Sequence, residues 1–276
     1  MVEIHISQAG GRIPKSRIEY LDYSWNFISG CRHYLTGICG GDGSQFNCWA
    51  KSITERFKAH YEYGFEPTLY PNKLLQPLTL KNPARIGVGF MGDLFGEWVD
   101  PELYVNFPPG SDNIVWLRGA VLNTIEACPQ HTFLFLTKNP AGYQKWGEFP
   151  DNCWLGATVN NQEMLYDSLL ELSKAKAKNK WLSIEPLLES LNGGECEGKR
   201  LDGLKNAGIS WVVIGGYSGG RKSPPPAAIC EIGEACDKAG IPLWLKDNLK
   251  PLIFSDRLFA EGWLNWAGEI RHDFPH

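Results

Sequence analysis

Six short apolar runs recur along the chain, each nearly unbroken by polar residues: 86–90, 132–136, 154–159, 181–184, 211–214 and 242–245. Continuous rather than alternating apolar character is the mark of parallel strands buried on both faces. A seventh run, 23–28, precedes them. Between the runs, apolar residues fall at helical spacing. Residues 113–127 carry Trp116, Leu117, Val121, Leu122 and Ile125, and Pro129 ends that stretch. Residues 161–175 carry Met164, Leu165, Leu169, Leu170 and Leu172, and residues 227–239 stop at Gly240, a good C-terminal cap. Residues 48–57 read as a further helix. Strand–helix alternation of this kind predicts an α/β fold, a partial or full (β/α) TIM-type barrel with parallel strands. It forms one domain over residues 1–276, with loop insertions at 58–81 and 189–200.

The 276 residues are enough for a sizeable core, and 43% hydrophobic content excludes a disordered chain. A net charge of -4 gives no global case for non-specific DNA binding, though a local basic groove is compatible with it. Residues 1–7 lack the basic and apolar regions of a signal peptide. No apolar run approaches the roughly 20 residues of a membrane span. A cytoplasmic protein is expected. Its eight cysteines then read as metal ligands, reactive thiols or small core residues before disulfides.

Three of those cysteines, Cys31, Cys39 and Cys48, follow the first strand run within one short stretch. Four thiolates close an iron–sulfur cluster or a structural zinc, whereas three leave one metal corner open. The other five cysteines are scattered and carry no assigned chemistry. In parallel barrels chemistry gathers at the C-terminal strand ends. Those ends are polar here: Met91-Gly92-Asp93, Thr137-Lys138, Thr158 and Asn160, Glu185-Pro186, a glycine-rich loop from Gly215 and Gly216 to Gly220, and Lys246-Asp247-Asn248. Asn160 reads first as a helix N-cap, and Asp93 reads equally as cap or catalyst. Glu185 stands among apolar neighbours, where a carboxylate must be paired or used.

The ordered motifs resemble the phage Gp37/Gp68-like family, a three-cysteine-motif group placed with the radical S-adenosylmethionine enzymes. The matching segments are 25–31, 48–50, 88–95, 136–140, 154–162, 182–187 and 211–219. The resemblance implies a [4Fe–4S] cluster on Cys31, Cys39 and Cys48, with S-adenosylmethionine on the open iron. Reductive cleavage would give a 5'-deoxyadenosyl radical that takes hydrogen from an unknown substrate. By position, Met91, Gly92 and Asp93 match the segment that meets the methionine part. Thr158, Asn160 and Glu185 match positions for its carboxylate or the ribose, and Gly215 and Gly216 border the adenine. Thr137 and the catalytic candidate Lys138 would face the substrate. The phage-type resemblance and the basic residues Lys138, Arg221 and Lys222 make a nucleotide or nucleic acid a candidate substrate. An external electron donor is implied. One departure is plain: seven residues separate Cys31 from Cys39 and eight separate Cys39 from Cys48, wider gaps than the usual radical S-adenosylmethionine motif.

Two other readings stay open. Cys31, His33, Cys39 and Cys48 could form a Cys3His zinc site in a structural or binding protein. Asp93 and Glu185 could instead be the acid/base pair of a barrel hydrolase or lyase.

Overall fold

In the computed structural model, residues 4–36, 39, 47–191, 201, 203–217, 224–255 and 269–275 are described. All seven runs contribute strands to one sheet: β1 (Tyr23–Trp25), β2 (Arg85–Val88), β3 (Thr132–Thr137), β4 (Cys153–Thr158), β5 (Asn179–Ile184), β6 (Ile209–Ile214) and β7 (Leu243–Leu245). The strand order β7-β6-β5-β4-β3-β2-β1 follows the chain from edge to edge. The pairs β1–β2, β2–β3, β5–β6 and β6–β7 are parallel. Among the described residues nothing pairs β7 with β1, so the α/β sheet is that of a partial rather than a full (β/α) barrel.

The chain divides into two compact units, Met1–Trp154 with Ala175–Lys178, and Leu155–Lys174 with Asn179–His276. The first unit holds helices α1 (Trp49–Arg56) and α2 (Leu117–Glu126). Its core packs Trp25, Phe27, Ile28, Leu69, Ile86, Phe133 and Phe135, all fully buried. The Trp25 indole N–H donates to the Lys73 carbonyl at 2.8 Å, so this large ring is buried without an orphan donor. The first run ends as a strand at Trp25, three residues before the apolar pattern does. Ile28–Ser29 belongs to a second small sheet, antiparallel to Thr68–Leu69, which pairs in parallel with His5–Ile6. Part of the expected 58–81 loop is therefore strand. Residues 113–127 also differ from expectation. Ile114–Trp116 pairs antiparallel with Tyr104–Asn106 in an exposed ribbon, and the helix begins only at Leu117.

Gly30 carries the chain from the small sheet toward Cys31. Its φ of +79° is left-handed, and a side chain there would strike the Glu66 backbone. Its N–H donates to Met91 O at 3.0 Å, and Cys31 N–H donates to Phe65 O at 3.1 Å. Gly30→Ala is expected to destabilise the protein by about 1–3 kcal/mol through backbone strain alone. A chemical denaturation midpoint that did not move would contradict this tight passage.

The second unit contains α3 (Gln162–Lys174), α4 (Gly203–Asn206) and α5 (Pro226–Ala239). The rings of Trp181 and Trp211 lie 5.2 Å apart in its core, and the Trp211 indole donates to Asp273 O at 2.8 Å. Gly240 closes α5 in the left-handed conformation, as expected. The expected cap at Asn160 is displaced by one residue: Asn161 Oδ1 accepts the Met164 N–H at 2.8 Å. Of the expected insertion at 189–200, residues 192–200 lie outside the described residues. No helix among the described residues is long and apolar enough to cross a membrane.

Candidate functional site: a three-thiol layer and a lysine–glutamate pair

In the first unit, Cys31 and Cys39 are buried and Cys48 is half-buried, all three as free thiols. Cys31 enters directly after the Gly30 passage and packs with Ala50, Phe65 and Met91. Cys48 is the N-cap residue of α1. The Cys39 thiol is hydrogen-bonded to the Cys48 sulfur. That bond, donated by Cys39, lowers the Cys48 pKa and raises the Cys39 pKa, so Cys48 ionises first. The N–H groups of Ala50 and Lys51 further favour the Cys48 thiolate, although its side chain closes no capping hydrogen bond. Burial, then the Asp93 charge, pushes Cys31 up to about 12, against the His33 amide and Lys138. Lys138 favours ionisation of each of the three thiols. Burial and mutual repulsion thus oppose three bare thiolates, and a bound cationic metal group would reverse both.

Asp93 organises the layer. It is buried, and its two oxygens accept four hydrogen bonds. Oδ1 takes the Thr137 hydroxyl at 2.7 Å and the Phe95 N–H at 3.0 Å. Oδ2 takes His33 Nε2 at 2.9 Å and the Lys138 N–H at 3.0 Å. Burial pushes this carboxyl upward, but the bonds from His33, Lys138 and Thr137 outweigh it and hold its pKa below the ordinary value. The Asp93 side chain is therefore spent on structure rather than free for acid/base work. His33 also gives its backbone N–H to Cys31 Sγ at 3.5 Å, and its ring is committed to Asp93.

Three thiols with no fourth thiol beside them among the described residues match the donor number of an iron–sulfur cluster with one open iron, and the His33 ring that a closed zinc site would need is held by Asp93. A tetrahedral zinc with sulfurs at about 2.3 Å draws its donors to within about 4 Å of one another. Among the described residues, Cys31, His33, Cys39 and Cys48 offer no three donor atoms within 4.8 Å of one another, although Cys39 and Cys48 are in hydrogen-bond contact. A cubane, whose irons stand at separate corners, spreads its thiolates more widely.

In the second unit, Glu185 Oε2 accepts from Lys246 Nζ at 2.7 Å, and Glu185 Oε1 accepts from Ser183 at 3.2 Å. Backbone bonds from Gly215 N–H to Ile184 O and from Lys246 N–H to Ile214 O hold both partners at strand ends. Gly215 lies beneath them: an added Cβ would come within 3.0 Å of both Glu185 Cγ and Lys246 Cδ. Gly216 is clamped by Asn248, which accepts its N–H at 3.0 Å and donates to its carbonyl at 2.8 Å. Thr158 and Asn160 are buried. Asn160 Nδ2 donates to Pro186 O at 2.9 Å, while its Oδ1 is buried with no partner.

Over residues 15–250 the chain matches the family described as "Protein of unknown function (DUF5131)". The chain belongs to that family. The match does not confirm the Gp37/Gp68-like family read from the motifs. No curated protein matches. Among solved structures, a point mutant of spore photoproduct lyase is similar with a TM-score of 0.48 and 9% identity, over 85% of this chain and 78% of that chain. So slight a likeness carries no argument about this family member.

Of the residues singled out in the sequence, the first unit gathers Cys31, Cys39, Cys48, Met91, Asp93, Thr137 and Lys138, and the second joins Glu185 to the Gly215 turn. Residues 218–223, with Arg221 and Lys222, lie outside the described residues. The sequence singles out His33 and Lys246 but not their pairing with Asp93 and with Glu185, and Trp98, which packs against the Cys31 cluster, gives no signal there.

Proposed function

We propose that the protein is a radical S-adenosylmethionine enzyme, with Cys31, Cys39 and Cys48 as the protein ligands of a [4Fe–4S] cluster. The observation that carries the reading is the three-thiol layer itself: two buried sulfurs and a helix-cap sulfur, with the His33 ring, the fourth ligand of a zinc reading, held by Asp93. When bound, the cluster supplies the electron that splits the sulfonium C–S bond of S-adenosylmethionine, yielding a 5'-deoxyadenosyl radical. The chain's own residues do the rest. Asp93 fixes the Cys31 loop and the Lys138 backbone in one network. Burial of Cys31 and Cys39 excludes water from the ligands. Lys138 offsets negative charge at the thiols. Thr158, Asn160, Glu185, Gly215 and Gly216 in the second unit, and Met91 and Gly92 in the first, keep the cofactor-binding roles that the family resemblance implies. The reading includes an external electron donor and an unknown substrate, with a nucleotide or nucleic acid as the class to test first.

Protein reconstituted with iron and sulfide without oxygen is expected to be brown, to give a reducible [4Fe–4S] signal by electron paramagnetic resonance that changes on adding S-adenosylmethionine, and to release 5'-deoxyadenosine under reduction. A colourless chain loaded with zinc and releasing none would sink the proposal.

A further inference from the structure

Trp98 stands beside the thiols with a donor that no described residue accepts. Its ring packs against the apolar cluster of Cys31, Ala50, Phe65 and Met91. It meets the His33 ring edge-on, with centroids 5.1 Å apart. His33 is in turn held by Asp93, so the wall behind Trp98 is fixed. On another side the indole lies against Gly96, where any side chain would collide with it. The indole Nε1 is sealed from solvent and has no hydrogen-bond partner among the described residues.

A buried donor left unpaired costs about 1–3 kcal/mol, and tryptophan is the large side chain that brings such a cost with it. Phenylalanine would fill the same layer without one. The other described donor of this kind near the thiols, Arg32 Nε, belongs to a guanidinium already paired with Glu66 at 3.0 Å. An orphaned N–H in the layer that carries three metal-ligating thiols is best explained by an acceptor that arrives with the metal group. Cluster sulfurs accept hydrogen bonds, and such bonds are one lever that sets a cluster's potential.

We infer that Trp98 is a positioning residue for the iron–sulfur group, its indole N–H donating to a sulfur of the cluster held by Cys31, Cys39 and Cys48. The inference rests on the proposed reading of the site. A hydrogen bond to sulfur stabilises the extra negative charge of the reduced cluster, so it raises the reduction potential. The Trp98 ring also covers the Cys31 side of the layer, but a phenyl ring would do that too. The N–H is the part that a purely packing role does not need.

The test is a redox titration, followed by electron paramagnetic resonance, of the anaerobically reconstituted full chain and three variants. Trp98→Phe removes the donor and keeps a ring. Trp98→His keeps a ring N–H. Trp116→Phe changes an exposed tryptophan on the Ile114–Trp116 strand and serves as the control. Trp98→Phe is expected to move the midpoint to a more negative potential at unchanged iron content, Trp98→His to recover part of that shift, and Trp116→Phe to leave it in place. An unmoved midpoint in Trp98→Phe overturns the inference, as does an equal shift in Trp98→His. Iron loss confined to Trp98→Phe counts for the donor. Iron loss from both position-98 variants makes bulk the contribution and overturns it. Unchanged chain carrying no cluster at all defeats the functional reading instead, and that result is seen before any variant is compared.

Discussion

Cys48→Ala abolishes the cluster while leaving the fold standing: this is the expected result with the largest effect. Cys48 is the sulfur in the set that is ready to bind, because the thiol of Cys39 and the amides at the start of α1 all favour its ionised form. Without it two thiols remain, and two cannot hold a cubane against exchange with solvent. Iron bound after anaerobic reconstitution should fall to background. Release of 5'-deoxyadenosine should fall by more than the roughly 10–100-fold that loss of an outer-shell partner costs a metal site. Stability of the metal-free chain should change by less than about 1 kcal/mol, since Cys48 is half-buried and its side chain makes no capping bond. The same removal at Cys128, a fully buried cysteine with no assigned chemistry, should leave iron binding in place. Iron analysis and chemical denaturation of the two variants separate the ligand from the filler. Retained iron and activity in Cys48→Ala would exclude the thiol layer as the centre. Activity surviving removal of all three thiols would point to a metal-free barrel chemistry, although Asp93, already bonded four times, is poorly placed to be its base.

The seven sheet strands were legible because each is an almost continuous apolar run, and burial on both faces leaves little else for such a run to be. Where the pattern misled, two burial environments shared one pattern. Ile28 is as buried in the small sheet as it would have been in the large one, so nothing in residues 23–28 marks the break after Trp25. Trp116 continues the helical spacing of Leu117 and Val121, yet it is exposed on a ribbon whose connection contains Pro108, Pro109 and Gly110. Adjacent asparagines at 160 and 161 put the cap one residue off, a shift that periodicity cannot detect. The three thiols could be seen because they are close in sequence and follow a strand. Their supports could not. His33 is 60 residues from Asp93, Thr137 is 44 residues beyond it, and Lys246 is 61 residues beyond Glu185. Pairings of that length are made by the order of strands in the sheet, and a linear reading shows only that Asp93 and Glu185 need partners, not which ones they find.

Asp93→Ala is expected to cost about 3–5 kcal/mol, the range for removing one side of a buried charged pair. The magnitude follows from what is left behind. His33 Nε2, the Thr137 hydroxyl and the amides of Phe95 and Lys138 all point at the vacated carboxylate. The site is closed, so water cannot replace both oxygens without opening it. Asp93→Asn keeps the volume and one acceptor, and should cost less while still presenting an amide N–H to two of the four donors. Guanidinium unfolding of the metal-free chain measures both, with a lowered midpoint at unchanged slope as the expected form. The pH dependence has a definite sign. Because the folded carboxyl is held below its ordinary value of 3.8, its contribution is complete above that value and is lost as pH falls through the lower folded value. The gap between wild type and Asp93→Ala should therefore be flat across neutral pH and close only in acid. A gap of less than about 0.5 kcal/mol at neutral pH would mean that the network is ornamental. A large gap ties stability to the site, because the Asp93 bonds that hold the first unit together are the bonds that fix His33 beside Cys31 and Lys138 beside the thiols. A chain that folds with Asp93 ionised and fully bonded arrives with His33 already set against Cys31.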